Sequence, residues 1–387
     1  ATNPGDITII IIIQVLSIMN FKKTLLGLGI STLMLGATAA QAEIKIALAG
    51  PVTGPVAQYG DMQFIGAKMA IEQINKAGGV NGEMLVGVSY DDACDPKQAT
   101  AVANKIVNDG IQLVVGHLCS SSTEPASDIY EDEGILMITA ASTNASITEK
   151  GYQLIFRTIG LDSMQGPFAA KYIIDRVKPK RVAVIHDKQQ YGEGLATSVK
   201  SELEKAGISI AMFEGVTSGD KDFSALIGKM KKENVDFVYY GGYHPELGLI
   251  LRQSNEKGFN AKFMGPEGVG NPDITAIAGD ASEGLLVTLP DSFEKDPKNA
   301  ALVAAFKAKN EDPSGAFVFP AYSAVQIMAE SIKAVGSVDT VAMAKQMRSS
   351  SFDTPTGKLA FDAKGDLKQF SFVVYNWHKD GTKSAIK

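Results

Sequence analysis

The sequence lacks the short motifs that carry most enzyme chemistry. It has no GxxxxGK[ST] phosphate loop, no GxGxxG after a strand, no GxSxG elbow and no HExxH pair. It holds only four histidines, His117, His186, His244 and His378, and none stands at ligand spacing from another, so no metal and no cofactor are expected. The acidic group Asp91, Asp92 and Asp95 reads as a solvated strand end with an N-cap rather than a cation site. No Lys/Arg cluster offsets the net charge of −6, which argues against nucleic acid as a partner. The 38 glycines and 15 prolines are dispersed, so collagen-like and low-complexity readings fail.

What is present describes a globular protein. At ~150 residues per domain, 387 residues suggest about two domains. Hydrophobic residues make up 45% and charged residues 21%, an ordinary soluble composition.

The first 42 residues stand apart. From Met19, Lys22 and Lys23 form a positive n-region, Thr24 to Leu35 an apolar h-region, and Ala40-Gln41-Ala42 a small-residue cleavage pattern. Residues 19–42 therefore read as a secretory signal peptide cleaved after Ala42, with the mature chain starting at Glu43. The apolar run after Lys23 is shorter than the ~20 residues of a membrane span. Residues 1–18, with Ile9–Ile13, fit no functional template and read as translated upstream sequence. No later stretch approaches a span, so the mature chain is expected to be soluble and exported.

Cys94 and Cys119 both lie in the exported part. In an oxidising compartment an even count reads as a disulfide. The competing reading is a nucleophile, because Cys119 follows His117 and precedes Ser120, Ser121 and Ser122.

Beyond Glu43 the pattern alternates strand and helix. Ile44–Gly50 is a short apolar strand. Phe64, Ala67, Ile71 and Ile74 recur at helical spacing until Gly78-Gly79. Leu85–Tyr90 is a second strand, and Asp95-Pro96 caps a helix with the stripe Ala99, Val102 and Ile106. Strands follow at 113–116 and 135–139, separated by a helix over about 123–132. A second set spans strands at 182–186, 208–213, 237–240, 262–265 and 285–289, with helices at 192–205, 223–232 and 245–255. The C-terminal part is mixed, with helices at 299–308, 321–334 and 342–347 and strands at 358–362 and 370–375. Repeated βα units predict parallel sheets covered on both faces, hence doubly wound α/β, and the length favours two such lobes.

Ligands of open α/β sheets bind beyond the carboxyl ends of the strands. The loop His117 to Thr123 puts hydroxyls at a helix start, a natural seat for a carboxylate, although one serine could serve only as an N-cap. Ala140 to Asn144 is again small and hydroxylated. In Gly265 to Gly270 a lone Glu267 sits among glycines that allow close backbone approach. Together these loops offer donors for an anion and a carboxylate for a cation, which matches the zwitterionic α-amino acid head group. Tyr59, Tyr191 and Tyr243 fall in similar loops and could wall an apolar pocket, or be plain core residues.

From Glu43 onward the sequence resembles the periplasmic leucine/isoleucine/valine-binding proteins of ABC importers. The stretches YDDACDPKQA (Tyr90–Ala99), VANKIVNDGI (Val102–Ile111), GHLCSSST (Gly116–Thr123), ASDIYEDEGILMIT, HDKQQYGEGLA, KKENVDFVYYGGYHPE and FMGPEGVGN carry the likeness over essentially the whole mature chain. The resemblance implies a type I periplasmic-binding fold, two lobes joined by three hinge crossovers and closing on ligand. The first lobe would take 43–162 and 291–369, the second 163–290 and 370–387.

The same resemblance implies that Cys94 and Cys119 are bonded. It assigns Ser120 and Thr143 to the ligand's carboxylate and amino groups, the Ala141 carbonyl to its ammonium, and Glu267 to neutralising that ammonium. Tyr59, Leu118, Cys119, Tyr191 and Tyr243 would surround the aliphatic side chain. Where the family has Pro-Ala-Ala-Thr this chain has Ala140-Ala141-Ser142-Thr143, which relaxes the loop and adds a hydroxyl, Ser142, to the binding set. Tyr59, where leucine-selective relatives carry Trp, favours a broader range. Leucine, isoleucine and valine are the expected ligands, ABC importer permease subunits the expected partners, and a monomer in the periplasm the expected state.

Overall fold

A computed structural model describes residues 43–386; the signal-peptide reading and the upstream segment lie outside the described residues. The alternation resolves as two sheets. The first set of units is β1 (Glu43–Gly50), α1 (Ala57–Lys76), β2 (Met84–Asp91), α2 (Pro96–Asn108), β3 (Leu113–Val115), α3 (Ser120–Asp132), β4 (Leu136–Thr139) and β5 (Ile155–Arg157). These strands form a five-stranded sheet in the order β2-β1-β3-β4-β5, with β1, β3, β4 and β5 parallel.

The second set is α4 (Asp162–Tyr172), β6 (Val182–His186), α5 (Gln190–Lys205), β7 (Ile210–Gly215), α6 (Ser224–Lys232), β8 (Phe237–Gly241), α7 (His244–Glu256), β9 (Lys262–Gly265), α8 (Asp273–Ala278) and β10 (Leu286–Pro290). The chain then supplies α9 (Ala300–Ala308), α10 (Val318–Val335), α11 (Thr340–Ser349), the hairpin β11 (Ser351–Thr354) and β12 (Gly357–Ala360), and finally β13 (Phe372–Trp377) and β14 (Lys383–Ala385). The second sheet has seven strands, β14-β13-β10-β9-β8-β6-β7, with β13 and β14 antiparallel at one edge. Its parallel part, β7-β6-β8-β9-β10, repeats the reversal of strand order seen in the first sheet.

Burial explains this topology. Strands β3, β4, β5, β6 and β8 are wholly buried, as parallel strands covered by helices on both faces must be. Helix α10 packs along α1, and their apolar faces join β1, β3 and β4 in one core that includes Leu48, Ile138, Val325 and Met328. A second core beneath β6, β8 and β9 gathers Ile185, Val238, Phe263 and Trp377. The chain passes between the two sheets three times: after β5, after β10 and before β13.

Several local expectations need correction. Helix α3 begins at Ser120, three residues before the expected start, and includes Pro125 within its first two turns. Strand β5 and helix α4 had no clear sequence signal, because β5 is three residues long and α4 contains Gly166 and Pro167 without apolar periodicity. Asp95 does cap α2, accepting from the Gln98 N–H at 2.8 Å. Asp92, expected to be solvated, is fully buried against His117, with Oδ2 2.6 Å from Nδ1.

Arg157 at the end of β5 is also fully buried. Its Nε bonds Asp366 at 2.6 Å, Nη1 reaches the Ser142 carbonyl at 2.7 Å, and Nη2 reaches Thr148 Oγ1 at 2.7 Å and the Asn144 carbonyl at 3.1 Å. Burial lowers the Arg157 pKa, and Asp366 opposes that shift. One guanidinium thereby holds the whole loop that follows β4.

Candidate functional site

The strand-order reversals place loops after β1 and β3 on one side and after β6 and β8 on the other, the positions where doubly wound sheets take ligands. Every residue singled out in the sequence lies in or just beyond such a loop. Tyr59 follows β1, Leu118 to Ser120 follow β3, and Ala141 to Thr143 follow β4. Tyr191 follows β6, Tyr243 follows β8 and Glu267 follows β9. Leu118, Ser120, Ala141, Tyr191, Tyr243, Glu267, Gly268 and Phe317 line a small cavity between the two sheets.

One end of this cavity suits an anion. Helix α3 starts at Ser120, and no side chain caps it. Its first N–H groups and dipole therefore face the cavity beside the buried Ser120 side chain.

The other end suits a cation. Glu267 is fully buried; one carboxylate oxygen accepts from Gln165 Nε2 and the other, Oε1, has no partner. Asp162, on the first turn of α4, is buried with neither carboxyl oxygen hydrogen-bonded. Desolvation, reinforced by the charge of Glu267, pushes the Asp162 pKa up to about 8, while Thr143 and Arg157 pull against the rise. Glu267 is raised as well, by burial, against the pull of Gln165 and Thr143. The Thr143 hydroxyl lies beside both carboxyls without a full hydrogen bond to either. Two buried carboxyls with three empty acceptor sites are a costly arrangement unless a cation completes it.

Aromatic rings form the wall. Tyr59 stacks obliquely on Tyr243 at 6.2 Å between centroids, meets Phe317 edge-on at 5.8 Å and His244 at 5.5 Å. Tyr191 lies 5.2 Å from Tyr243. Two of the hydroxyls are anchored on Gly268: Tyr59 donates to its carbonyl at 2.7 Å, and its N–H donates to Tyr191 at 3.0 Å. A Cβ on Gly268 would come within 2.6 Å of the Gly242 carbonyl, so this close approach requires glycine. Burial raises the pKa of all three tyrosines well above the ordinary value, so they act as neutral walls.

Behind the site, two staples join the same pair of loops. Cys94 and Cys119 are disulfide-bonded, with Cα atoms 5.5 Å apart. Two residues earlier on each loop, His117 binds Asp92 through Nδ1 and Tyr130 through Nε2, at 2.6 and 2.8 Å. With Cys119 oxidised and both His117 nitrogens engaged, the nucleophile reading of this loop fails.

The Ser142 hydroxyl is engaged by protein groups. It donates to the Leu118 carbonyl at 2.8 Å and pairs with Thr123 Oγ1 at 2.6 Å. It ties the loop after β4 to the loop after β3. Cys119 packs in one apolar cluster with Tyr59 and Leu118.

Sequence reasoning missed Asp162, Gln165, Gly268 and Phe317. Asp162 and Gln165 sit on the unanticipated helix α4, and Phe317 comes 126 residues after Tyr191, beyond a chain crossing, too far for local pattern to link them. Gly268 is the exception: the Gly265 to Gly270 run already marked a close backbone approach.

The fold and site together define a two-lobed binding protein with a buried interlobe cleft. The chain belongs to the periplasmic binding protein family, whose model matches residues 43–382. It is 68% identical over 344 residues to the leucine-, isoleucine-, valine-, threonine- and alanine-binding protein of Pseudomonas aeruginosa, covering 89% of this chain and 92% of that one. It is 56% identical to the leucine-specific-binding protein of Salmonella typhimurium, covering 94% and 99%. Among solved structures it is similar to the branched-chain amino acid transporter substrate-binding protein of Streptococcus pneumoniae in complex with isoleucine. That match has a TM-score of 0.81 and 26% identity, and covers 89% of this chain and 99% of that one. Family and relatives are solute-binding proteins, not enzymes, and the family is periplasmic. Among the described residues no helix is long and apolar enough to cross a membrane.

Proposed function

We propose that this protein captures leucine, isoleucine and valine between its two lobes and delivers them to the permease subunits of an ABC importer. It would do so as a monomer in the periplasm, after export and cleavage behind Ala42. The lobes would run 43–162 plus 291–369 and 163–290 plus 370–387, closing about the three crossings. The observation that carries the reading is the unfilled pairing of Asp162 with Glu267 across the cavity from the α3 N-terminus. That arrangement offers separate seats to an ammonium and a carboxylate, with an aromatic wall for an apolar side chain.

In this reading the ligand's carboxylate takes Ser120 and the α3 N–H groups, and its ammonium takes Glu267, Asp162, Thr143 and the Ala141 carbonyl. Leu118, Tyr59, Tyr191, Tyr243 and Phe317 enclose the side chain. Leucine has nine heavy atoms, and about 1 kcal/mol per atom gives submicromolar affinity. One methylene alters binding by about 1–3 kcal/mol, so three branched residues can share one pocket.

The test is calorimetric titration of refolded, ligand-stripped protein with each of the twenty amino acids. Submicromolar binding led by leucine, isoleucine and valine supports the reading. Folded protein that binds none of them overturns it.

A further inference from the structure

Outside the ligand cavity the lobes also meet at a polar cluster around Gln190, separate from the Gln58 to Asp273 hydrogen bond. Gln190, the first residue of α5, reaches across to the first lobe. Its Nε2 donates to Glu124 Oε2 and to Ser146 Oγ, both at 2.9 Å. Its backbone carbonyl accepts from Asn144 Nδ2 at 3.1 Å. Asn144 is itself fixed on its own lobe, since its Oδ1 accepts from the Ser146 N–H at 3.0 Å and hydroxyl at 2.8 Å. Lys150 bonds Glu124 at 2.6 Å and so balances the carboxylate that Gln190 meets.

The seat for this contact is shaped on both sides. A Cβ on Gly194, one turn along α5, would come within 2.7 Å of Asn144 Nδ2, so the helix presents bare backbone where the carboxamide lands. Glu124, Asn144 and Gln190 do not line the cavity. Asn144 nevertheless directly follows Thr143, and its N–H approaches Ser120 Oγ at 3.4 Å. The cluster is thus one residue removed from both ends of the ligand seat.

We infer that Gln190, with Glu124 and Asn144, is a cross-lobe clasp that sets how long the closed protein retains its ligand without touching the ligand. These bonds join groups on different lobes, so they exist only when the lobes are together. They stabilise the closed state alone and slow opening, by the same factor for any ligand that permits closure. This inference rests on the amino-acid capture proposed above. Gln190 is a positioning residue: it acts on the equilibrium between open and closed lobes.

The test is stopped-flow binding of leucine, isoleucine and valine to the full mature protein and to Gln190→Ala. The dissociation rate is expected to rise at least fivefold, by one common factor for the three ligands, with an unchanged association rate and an unchanged melting temperature of the ligand-free protein. Gln190→Glu sets two carboxylates together and is expected to release faster still. Adding Glu124→Gln restores a donor–acceptor pair and should bring the rate back towards wild type. A dissociation rate within twofold of wild type, or factors that differ between ligands, overturns the clasp. Failure of the wild-type protein to bind any of the three overturns instead the reading on which it rests.

Discussion

Asp162 and Glu267 come from different loops, one after β5 and one after β9, yet both border the Thr143 hydroxyl, and the charge of Glu267 helps hold the Asp162 carboxyl protonated up to a pKa of about 8. Neither carboxyl is ion-paired among the described residues: Arg157, whose charge opposes the rise at Asp162, is paired with Asp366 instead. In the proposed reading the pair receives the ligand's positive charge. Its behaviour with pH is therefore the most specific signature of the site.

An arriving ammonium favours the ionised form of Asp162 and lowers its pKa, so ligand binding near pH 7 releases a proton. Affinity should then rise with pH, by up to about tenfold per unit below pH 8. Calorimetry in two buffers of different ionisation enthalpy measures the proton directly. Asp162→Asn should abolish the release and weaken binding more at pH 8 than at pH 6. A pH-independent affinity in the wild-type protein would contradict this.

The ligand-free protein should lose stability as pH rises from about 6.5 to about 8. Asp162 is raised to about 8 and Asp187 to about 7, both chiefly by burial, whereas the unfolded chain gives up these protons near pH 4. These two groups make stability fall with pH, while His244, lowered to about 4 by burial, and His186, also lowered, oppose them up to about pH 6.5; above that the slope of stability against pH is negative. Saturating leucine should flatten the part due to Asp162. A ligand-free melting temperature that climbs from pH 6.5 to pH 8 would count against it.

Glu267→Ala is expected to weaken leucine binding by about 2–5 kcal/mol, because it leaves an ammonium less well paired in a closed cleft. Calorimetry on the folded variant gives the number. A loss under about 1 kcal/mol would show that Glu267 does not face the ligand.

Asp366→Ala should destabilise the fold by about 3–5 kcal/mol, since it strands the buried Arg157 guanidinium without its carboxylate. Denaturant titration tests this. The Ser142 and Asn144 carbonyls hang on the same guanidinium, so leucine affinity should fall as well.

Much of this architecture was legible in the sequence, for physical reasons that differ by element. Strand β6 was expected over its full observed length, because a parallel strand buried on both faces is an apolar run with clear ends. The cap at Asp95-Pro96 was legible because both residues have a local mechanism. Glu267 and the Ser120 loop stood out as chemically odd residues in glycine- and hydroxyl-rich loops. Asp162 did not, because its significance is its burial, and burial depends on Glu267 being brought over from 105 positions away. Asp92 was misread for the same reason: an aspartate at a strand end is ordinarily solvated, and only the fold shows His117 beside it. The partners of the Ser142 hydroxyl, Leu118 and Thr123, were not legible, because sequence gives a hydroxyl's place in a loop but not the direction in which it points.

Tyr59 offers a separate test of closure against specificity. Its hydroxyl bonds the Gly268 carbonyl across the lobes, so Tyr59→Phe should cost about 1–3 kcal/mol for every ligand alike by leaving a buried carbonyl unpaired. Tyr59→Trp changes the shape of the wall and should alter the ratio of leucine to valine affinity. Equal ratios in both variants would remove Tyr59 from the side-chain pocket.

The central claim is that the cavity receives both charged ends of an amino acid at once. It is tested most directly by titrating ligand-stripped protein with leucine, with 4-methylpentanoate, which lacks the amino group, and with 3-methylbutylamine, which lacks the carboxylate. The account predicts submicromolar binding of leucine and a loss of at least about a thousandfold for each analogue, roughly 4 kcal/mol apiece. Either analogue binding as tightly as leucine would contradict it.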